Sequence, residues 1–219
     1  MVVFRTNLSI KWLGHASFLI EAEGKIIYID PYEGEYKEKA DVILVTHSHH
    51  DHFDLSKIKK VRREDTVIIA PRDCASRIDG AVKTLKPGEE TAIGDIRVKA
   101  VKAYNYKRFR SPGNPYHPKE LGVGYLLMAE GKTIYHAGDT DFIPEMKELE
   151  RVDVALLPSG GTYTMDNSEA AEAAIAINPK IAIPMHRWDT NPEEFKEKLK
   201  ANSNVNAVIL QKGEKYPVA

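Results

Sequence analysis

One cysteine, Cys74, stands among 219 residues, so no disulfide can close within this chain. That suits a reducing compartment. No apolar run approaches the ~20 residues a helix needs to cross a bilayer. Residues 1–7 lack the charged-then-apolar pattern of a secretory leader. A soluble cytoplasmic protein without a membrane partner is therefore expected. Neither sign of charge is in excess: 31 basic and 32 acidic residues leave a formal charge of -1. That balance disfavours bulk binding of nucleic acid or anionic membranes. Hydrophobic residues at 42% and charged residues at 29% describe an ordinary globular chain, and its length fits one domain over residues 1–219. Oligomeric state leaves no trace in the sequence.

Histidine is the residue in unusual supply. Four of the eight histidines fall in Thr46-His47-Ser48-His49-His50-Asp51-His52-Phe53. Read as ligands, the segment is His-x-His-x-Asp-His: His47, His49, Asp51 and His52. Imidazole nitrogen and carboxylate oxygen are donors that zinc, manganese and iron accept. Histidines two apart cannot share a helix face but can share one face of an extended segment. Asp41-Val42-Ile43-Leu44-Val45 just before them reads as a buried strand. The cluster thus sits where a strand ends and a loop begins, a common place for chemistry in α/β proteins. A solvated histidine-rich turn is the bland alternative, and four histidines in six positions argue against it.

Short β-prone runs fill residues 9–13, 17–21, 25–30, 41–46 and 66–70. A short helix capped by Asp54 and a weakly helical stretch over 72–78 accompany them. Further strands are predicted at 89–91, 98–104, 124–129, 132–136, 153–157, 181–184 and 207–210. Helices are predicted at 143–150, at 168–177 with Ser168 as N-cap, and at 192–201. Residues 104–121 form a long stretch rich in Pro, Gly, Asn and Tyr, of the kind that is often functional in a compact domain. An internal echo links Gly24-Lys25-Ile26-Ile27-Tyr28 with Gly131-Lys132-Thr133-Ile134-Tyr135, and Asp41-Val42-Ile43-Leu44 with Asp153-Val154-Ala155-Leu156. Two similar halves of this kind can pack as two sheets face to face with helices outside.

Four donors within one short segment cannot readily share a single ion. His47 and His49 suit one metal, and Asp51 and His52 another. Two ions about 4 Å apart need further donors and a bridge. Candidates stand at other strand ends: Asp139 after a predicted strand, His186 after Ile181-Ala182-Ile183-Pro184-Met185, and His117 in the long loop. Each alone reads as a turn, core or exposed residue.

Together these residues resemble the metallo-β-lactamase-fold hydrolases. The likeness is greatest to the single-domain branch that includes ascorbate-6-phosphate lactonase-like proteins, and it covers nearly the whole chain. Its marks are Trp12-Leu13-Gly14-His15-Ala16-Ser17-Phe18, Ile29-Asp30-Pro31, the His-x-His-x-Asp-His segment, Ala137-Gly138-Asp139-Thr140 and Pro184-Met185-His186. The resemblance implies an α/β (α+β) fold, a four-layer αββα sandwich with internal pseudo-duplication and a site at one edge of the sheets. It assigns His47, His49 and a third histidine to one metal, and Asp51, His52 and His186 to a second, with Asp139 bridging. His117 is taken as the third histidine, with His136 the fallback. Asp30 matches a family aspartate behind the ligand loop, where a carboxylate fixes an imidazole's tautomer. His15 is a substrate contact, an outer donor or a packed core residue, and His50 faces away.

The resemblance further implies two divalent ions, zinc first and manganese or iron as alternatives, and hydrolysis by a metal-bound hydroxide. Asp51 is the candidate to orient the nucleophile and pass a proton. The ligand carboxylates do not fully offset two divalent ions, so a small anionic ester, lactone or phosphoester is the expected substrate. Lys107, Arg108 and Arg110 are read as rim cations, and Asn105, Tyr163 and Thr164 as hydrogen-bond donors, unless these side chains merely solvate loops. Competing readings are a nuclease on the same fold, disfavoured by the charge balance, an iron-dependent oxidoreductase, and a non-catalytic metal-stabilised binding protein.

Overall fold

The computed structural model of the chain describes residues 7–219. The first half runs β1 (Ser9–Gly14), β2 (Ser17–Ala22), β3 (Lys25–Ile29), β4 (Val42–Leu44), α1 (Leu55–Val61), β5 (Val67–Ile69) and α2 (Arg72–Ala75). The second half runs β6 (Glu90–Ile93), β7 (Ile96–Ala103), a small hairpin β8 (Phe109–Ser111) and β9 (Asn114–Pro115), then β10 (Gly122–Ala129) and β11 (Lys132–His136). A 3-10 turn over Pro144–Glu148 leads to β12 (Val154–Pro158), α3 (Asn167–Ile177), β13 (Ile181–Met185), α4 (Glu193–Asn202), β14 (Asn206–Ala207) and β15 (Lys215–Pro217). One sheet has the order β15-β1-β2-β3-β4-β5 and the other β14-β13-β12-β11-β10-β7-β6. No helix among the described residues is long and apolar enough to cross a membrane.

The period of two along each strand builds the layers. In β2, Phe18, Ile20 and Ala22 face the space between the sheets, while Leu19 faces outward. In β12, Val154 and Leu156 point between the sheets, and Ala155 and Leu157 pack under α3 and α4. The outer face of the first sheet is covered by Ile58 and Val61 of α1 and Cys74 of α2. The result is the four-layer αββα sandwich that the resemblance implied.

The pseudo-duplication extends to single hydrogen bonds. Asp41 accepts the amide of Ile26 at 2.8 Å, and Asp153 accepts that of Thr133 at 3.0 Å. In both halves the strand so held pairs antiparallel with its predecessor and parallel with its successor. The two hairpin turns touch each other: the Glu23 amide donates to Glu130 Oε1 and the Glu130 amide to Glu23 Oε1, both at 3.0 Å. In each turn a glutamate and the following glycine adopt positive φ, with values near 50° and 70°. Such a pair suits a tight two-residue hairpin.

Several element boundaries differ from expectation. The helix expected over 143–150 is only the 3-10 turn over Pro144–Glu148. Asp166, not Ser168, caps α3, closing a capping box with Glu169. A carboxylate two residues upstream outcompetes the hydroxyl for the free amides. The last predicted strand shrinks to Asn206–Ala207, and β15 pairs with β1 where no strand was expected. The long irregular stretch is partly ordered by β8 and β9.

Candidate metal centre

The ends of β4, β11 and β13, the turn after β1 and the loop after β9 meet at one edge of the sandwich. The loop after β4 is tied to the opposite sheet, because the Val123 amide donates to Thr46 O at 2.9 Å. Behind it the first residue of β10 is Gly122, where an added Cβ would lie 2.6 Å from His47 Cβ. His52 and Phe53 then donate their amides to His49 O, folding the segment into a turn, and Asp54 caps α1.

His47, His49 and His117 converge. His47 Nε2 and His117 Nε2 each lie 3.1 Å from His49 Nδ1. Nitrogens bound tetrahedrally to one zinc at 2.0–2.1 Å stand about 3.3 Å apart, so this spacing fits a shared ion. Asp51, His52, His186 and His15 form a second set with donor atoms within 4.8 Å of one another, and Asp139 joins His47 and His52 in a third. Asp139 Oδ2 is 3.2 Å from His117 Nε2 and 3.1 Å from His186 Nε2, while Oδ1 is 3.3 Å from His52 Nε2. Asp139 therefore touches both groups of histidines.

Buried atoms without hydrogen bonds supply an independent test of metal fit. Among the described residues His52 Nε2, Asp139 Oδ1 and both ring nitrogens of His186 are buried and unpaired. Leaving buried polar atoms unpaired costs ~1–3 kcal/mol each. His52 Nε2 and His186 Nε2 both lie against Asp139, an arrangement a cation would satisfy, and the nitrogen-and-carboxylate donor set suits zinc, manganese or iron.

Residues behind the ligands fix their tautomers. Asp30 Oδ2 accepts from His52 Nδ1 at 2.7 Å and from the Thr46 hydroxyl at 2.6 Å, and Oδ1 accepts the Thr46 amide at 2.7 Å. With Nδ1 protonated, His52 offers Nε2 to the site. Asn105 Oδ1 accepts from His117 Nδ1 at 2.6 Å and from the His117 amide at 3.0 Å, so His117 likewise presents Nε2. The Asn105 amide donates to Asp141, which also binds Arg108 Nη1 at 2.6 Å. Three ring residues, His15, His186 and Trp188, and the carboxylate Asp30 hold φ between 45° and 49°. Non-glycine residues in the left-handed region cost ~1–3 kcal/mol each and concentrate at functional sites.

Burial drives the His47 imidazole well below its ordinary pKa and pushes His49 down to about 4, so both are neutral donors near pH 7. Burial also lowers His15, against its hydrogen bond with Asp51 at 3.1 Å. On Asp139 burial works upward, but the imidazoles of His186, His52 and His117 gathered around it outweigh this and hold the carboxyl well below the usual range. Burial likewise opposes ionisation of Asp51, yet the His15 hydrogen bond and the neighbouring His52 imidazole keep it low. Both carboxylates are thus ionised donors.

Several expectations need correction. His136 is not at the site: Nε2 donates to Ala16 O at 3.0 Å, Nδ1 accepts the Gly138 amide at 3.2 Å, and the ring packs on Phe18 between the sheets. Both nitrogens are used, which removes it as the fallback ligand. Thr164 is fully buried and bonds Met165 O, so it cannot meet substrate. Asn105 is a buried support of His117 and not a rim donor. Arg108 is neutralised by Asp141 and Glu169, and Lys107 by Glu169, so neither brings free charge to the rim. Arg110 does reach the site: Nη2 lies 3.2 Å from His49 Nε2, and its guanidinium sits over Tyr116. His50 is 89% exposed at the mouth.

A cavity of about 450 Å³ opens above the cluster, lined by His49, Asp51, Asp139 and His186 on its floor and by Arg110, Tyr116, Tyr163 and Trp188 on its walls. Sequence reading missed Tyr116 and Trp188. A tryptophan two residues after a candidate ligand was the available signal for the second.

The beta-lactamase superfamily domain matches residues 9–186. A UPF0173 metal-dependent hydrolase of Archaeoglobus fulgidus is 34% identical, covering 95% of this chain and 98% of its own. The crystal structure of a protein described as a metal-dependent hydrolase from Parabacteroides distasonis superposes with a TM-score of 0.86 at 39% identity, over 92% of both chains. Igni18, a metallo hydrolase from Ignicoccus hospitalis, gives 0.77 at 25% identity, over 95% of this chain and 97% of its own. With a domain match spanning most of its length and a relative aligned nearly end to end, the chain belongs to the beta-lactamase superfamily, as a metal-dependent hydrolase of the UPF0173 group.

Proposed function

We propose that the protein hydrolyses a small anionic ester, lactone or phosphoester at a two-metal centre. The observation that carries this reading is a set of buried donor atoms without hydrogen bonds beneath an open cavity, whose wall carries a guanidinium that no carboxylate pairs with among the described residues. His47, His49 and His117 would hold one divalent ion, and Asp51, His52 and His186 another, with Asp139 between them. Zinc is the first choice and manganese or iron the alternatives. When bound, such ions supply Lewis-acid stabilisation of developing negative charge and activation of water.

The chain's own residues then have distinct tasks. Asp51 accepts from His15 through Oδ2 and has no hydrogen bond at Oδ1 among the described residues, so the oxygen it does not give to an ion would orient the attacking water and take its proton. Among the described residues Arg110 meets no carboxylate, and it offers its guanidinium to an anionic substrate group in the manner of a bidentate clamp. Tyr116 and Tyr163, packed edge to face at 4.8 Å, shield that side of the cavity from solvent.

Zinc- or manganese-loaded protein should be screened against matched anionic and neutral esters and phosphoesters. Arg110→Gln is expected to raise KM for anionic substrates about tenfold, ~1.4 kcal/mol of binding, with little change for neutral ones. Equal effects on both series, or no turnover of either by metal-loaded protein, would defeat the reading.

A further inference from the structure

A second cavity, of about 600 Å³, lies directly beside the first. Trp188 lines both, and His15, which lines the second, is hydrogen-bonded to Asp51 on the floor of the first. The partition is thus a thin one, the His15 and Trp188 rings packed edge to face with centroids 4.8 Å apart. Trp188 is 55% exposed and carries a left-handed backbone beside Gly160, where a Cβ would lie 2.7 Å from the indole. The partition is therefore built into the fold at some conformational cost.

Arg187 stands in the second cavity. Its guanidinium is half-buried over the Trp12 ring, 4.1 Å from the centroid, and Nη2 donates to Leu210 O at 2.9 Å. No carboxylate pairs with it among the described residues. The other cation there, Lys212, is already tied to Glu33. A partly desolvated guanidinium, fixed by stacking and holding donors in reserve, is an anion receptor.

We propose that the second cavity is a subsite for an anionic group, carboxylate or phosphate, carried by the substrate beyond its scissile bond, with Arg187 as its receptor and Trp188 as the wall over which the substrate passes. The substrate is then an extended molecule anchored at Arg187, with its reacting centre in the first cavity. This deepens the hydrolase reading and rests on it for the word substrate, while the anion site itself can be tested without turnover.

Trp188 lines both cavities and Trp12 only the second, so in a Trp188→Phe background the fluorescence of Trp12 reports occupancy of the second cavity alone. Metal-loaded protein is titrated with inorganic phosphate and, separately, with acetate and succinate at low ionic strength. A saturable change in Trp12 fluorescence is expected, with Kd raised at least tenfold by Arg187→Gln. Asp189 is an exposed carboxylate on the same cavity, and Asp189→Asn should tighten binding several-fold, an outcome misfolding cannot mimic. The relative affinities of phosphate and the carboxylates show which anion the subsite prefers. The proposal is overturned by the absence of a saturable change, by binding that does not depend on Arg187, or by an Asp189→Asn variant that binds no more tightly. Loss of turnover with phosphate binding intact would count against the hydrolase reading alone.

Discussion

Asp30 brings no donor atom to the cavity, yet three hydrogen bonds make it the support on which His52 and the loop after β4 rest. Asp30→Asn keeps the shape but places an amide N–H against a donor. It should weaken metal binding about 10–100-fold, read by competition with a chromophoric chelator, and an unchanged affinity would refute the role. Asp153 performs a purely structural task in the second half. Burial pushes its carboxyl up, but the Thr133 amide, Lys180 and Arg151 outweigh this and hold it below its ordinary value. A depressed folded pKa means the stabilisation is complete above about pH 4 and is lost as pH falls through the folded value. Asp153→Asn should therefore be less stable than the natural chain by ~1–2 kcal/mol at pH 7, with the gap closing as both are taken below pH 4 in urea titrations. A gap constant with pH would contradict that account.

Elements position the site through backbone contacts that side-chain patterns do not advertise. β10 must begin with a residue lacking a side chain, because the His47 segment crosses it within van der Waals contact. Gly122→Ala removes no polar atom and no donor, yet it should cost ~1–3 kcal/mol and lower metal affinity together. Thermal melts and metal titration of the same variant check this, and loss of stability with intact affinity would separate the two effects. At this scale the chain was legible where a period of two or a turn pair marked it: β2, β3, β10, β11 and β12 appear close to expectation. The misread elements were those set by competition. Asp166 and Ser168 both suit an N-cap, and only the observed backbone shows which one receives the free amide at 2.8 Å. β15 is three residues long, and its pairing with β1 makes it a strand.

At the scale of the molecule, the two sheets meet through an apolar core and, at one edge, through a cluster of charged and imidazole groups drawn from both halves. The proposed ligands come from the loop after β4 in the first half and from residues 117, 139 and 186 in the second. Metal bound there should hold the sheets together as well as serve chemistry, since a ligand that binds only the folded state stabilises it by mass action. Chelation of loaded protein should lower Tm by about 5–10 °C, reversed by adding zinc or manganese; an unchanged melt would place the ions outside the folding equilibrium.

Local pattern alone could specify the layers, because strand period and turn residues are properties of neighbours in the chain. The same holds for the His-x-His-x-Asp-His segment, whose chemistry follows from residue type and spacing. Which distant histidine joins it could not be read that way, because His117 and His136 are both reached by loops or strands of plausible length. Packing separates them: His136 spends both nitrogens on backbone partners between the sheets, and Asn105 turns His117 toward His49. The rim cations divide for the same reason. Arg108 and Arg110 are two residues apart, just before and within β8, but Asp141 and Glu169 from distant elements neutralise the first and leave the second facing the cavity. Charge and ligand identity are written in the chain, while partnership depends on what the fold brings within ~3 Å of each group.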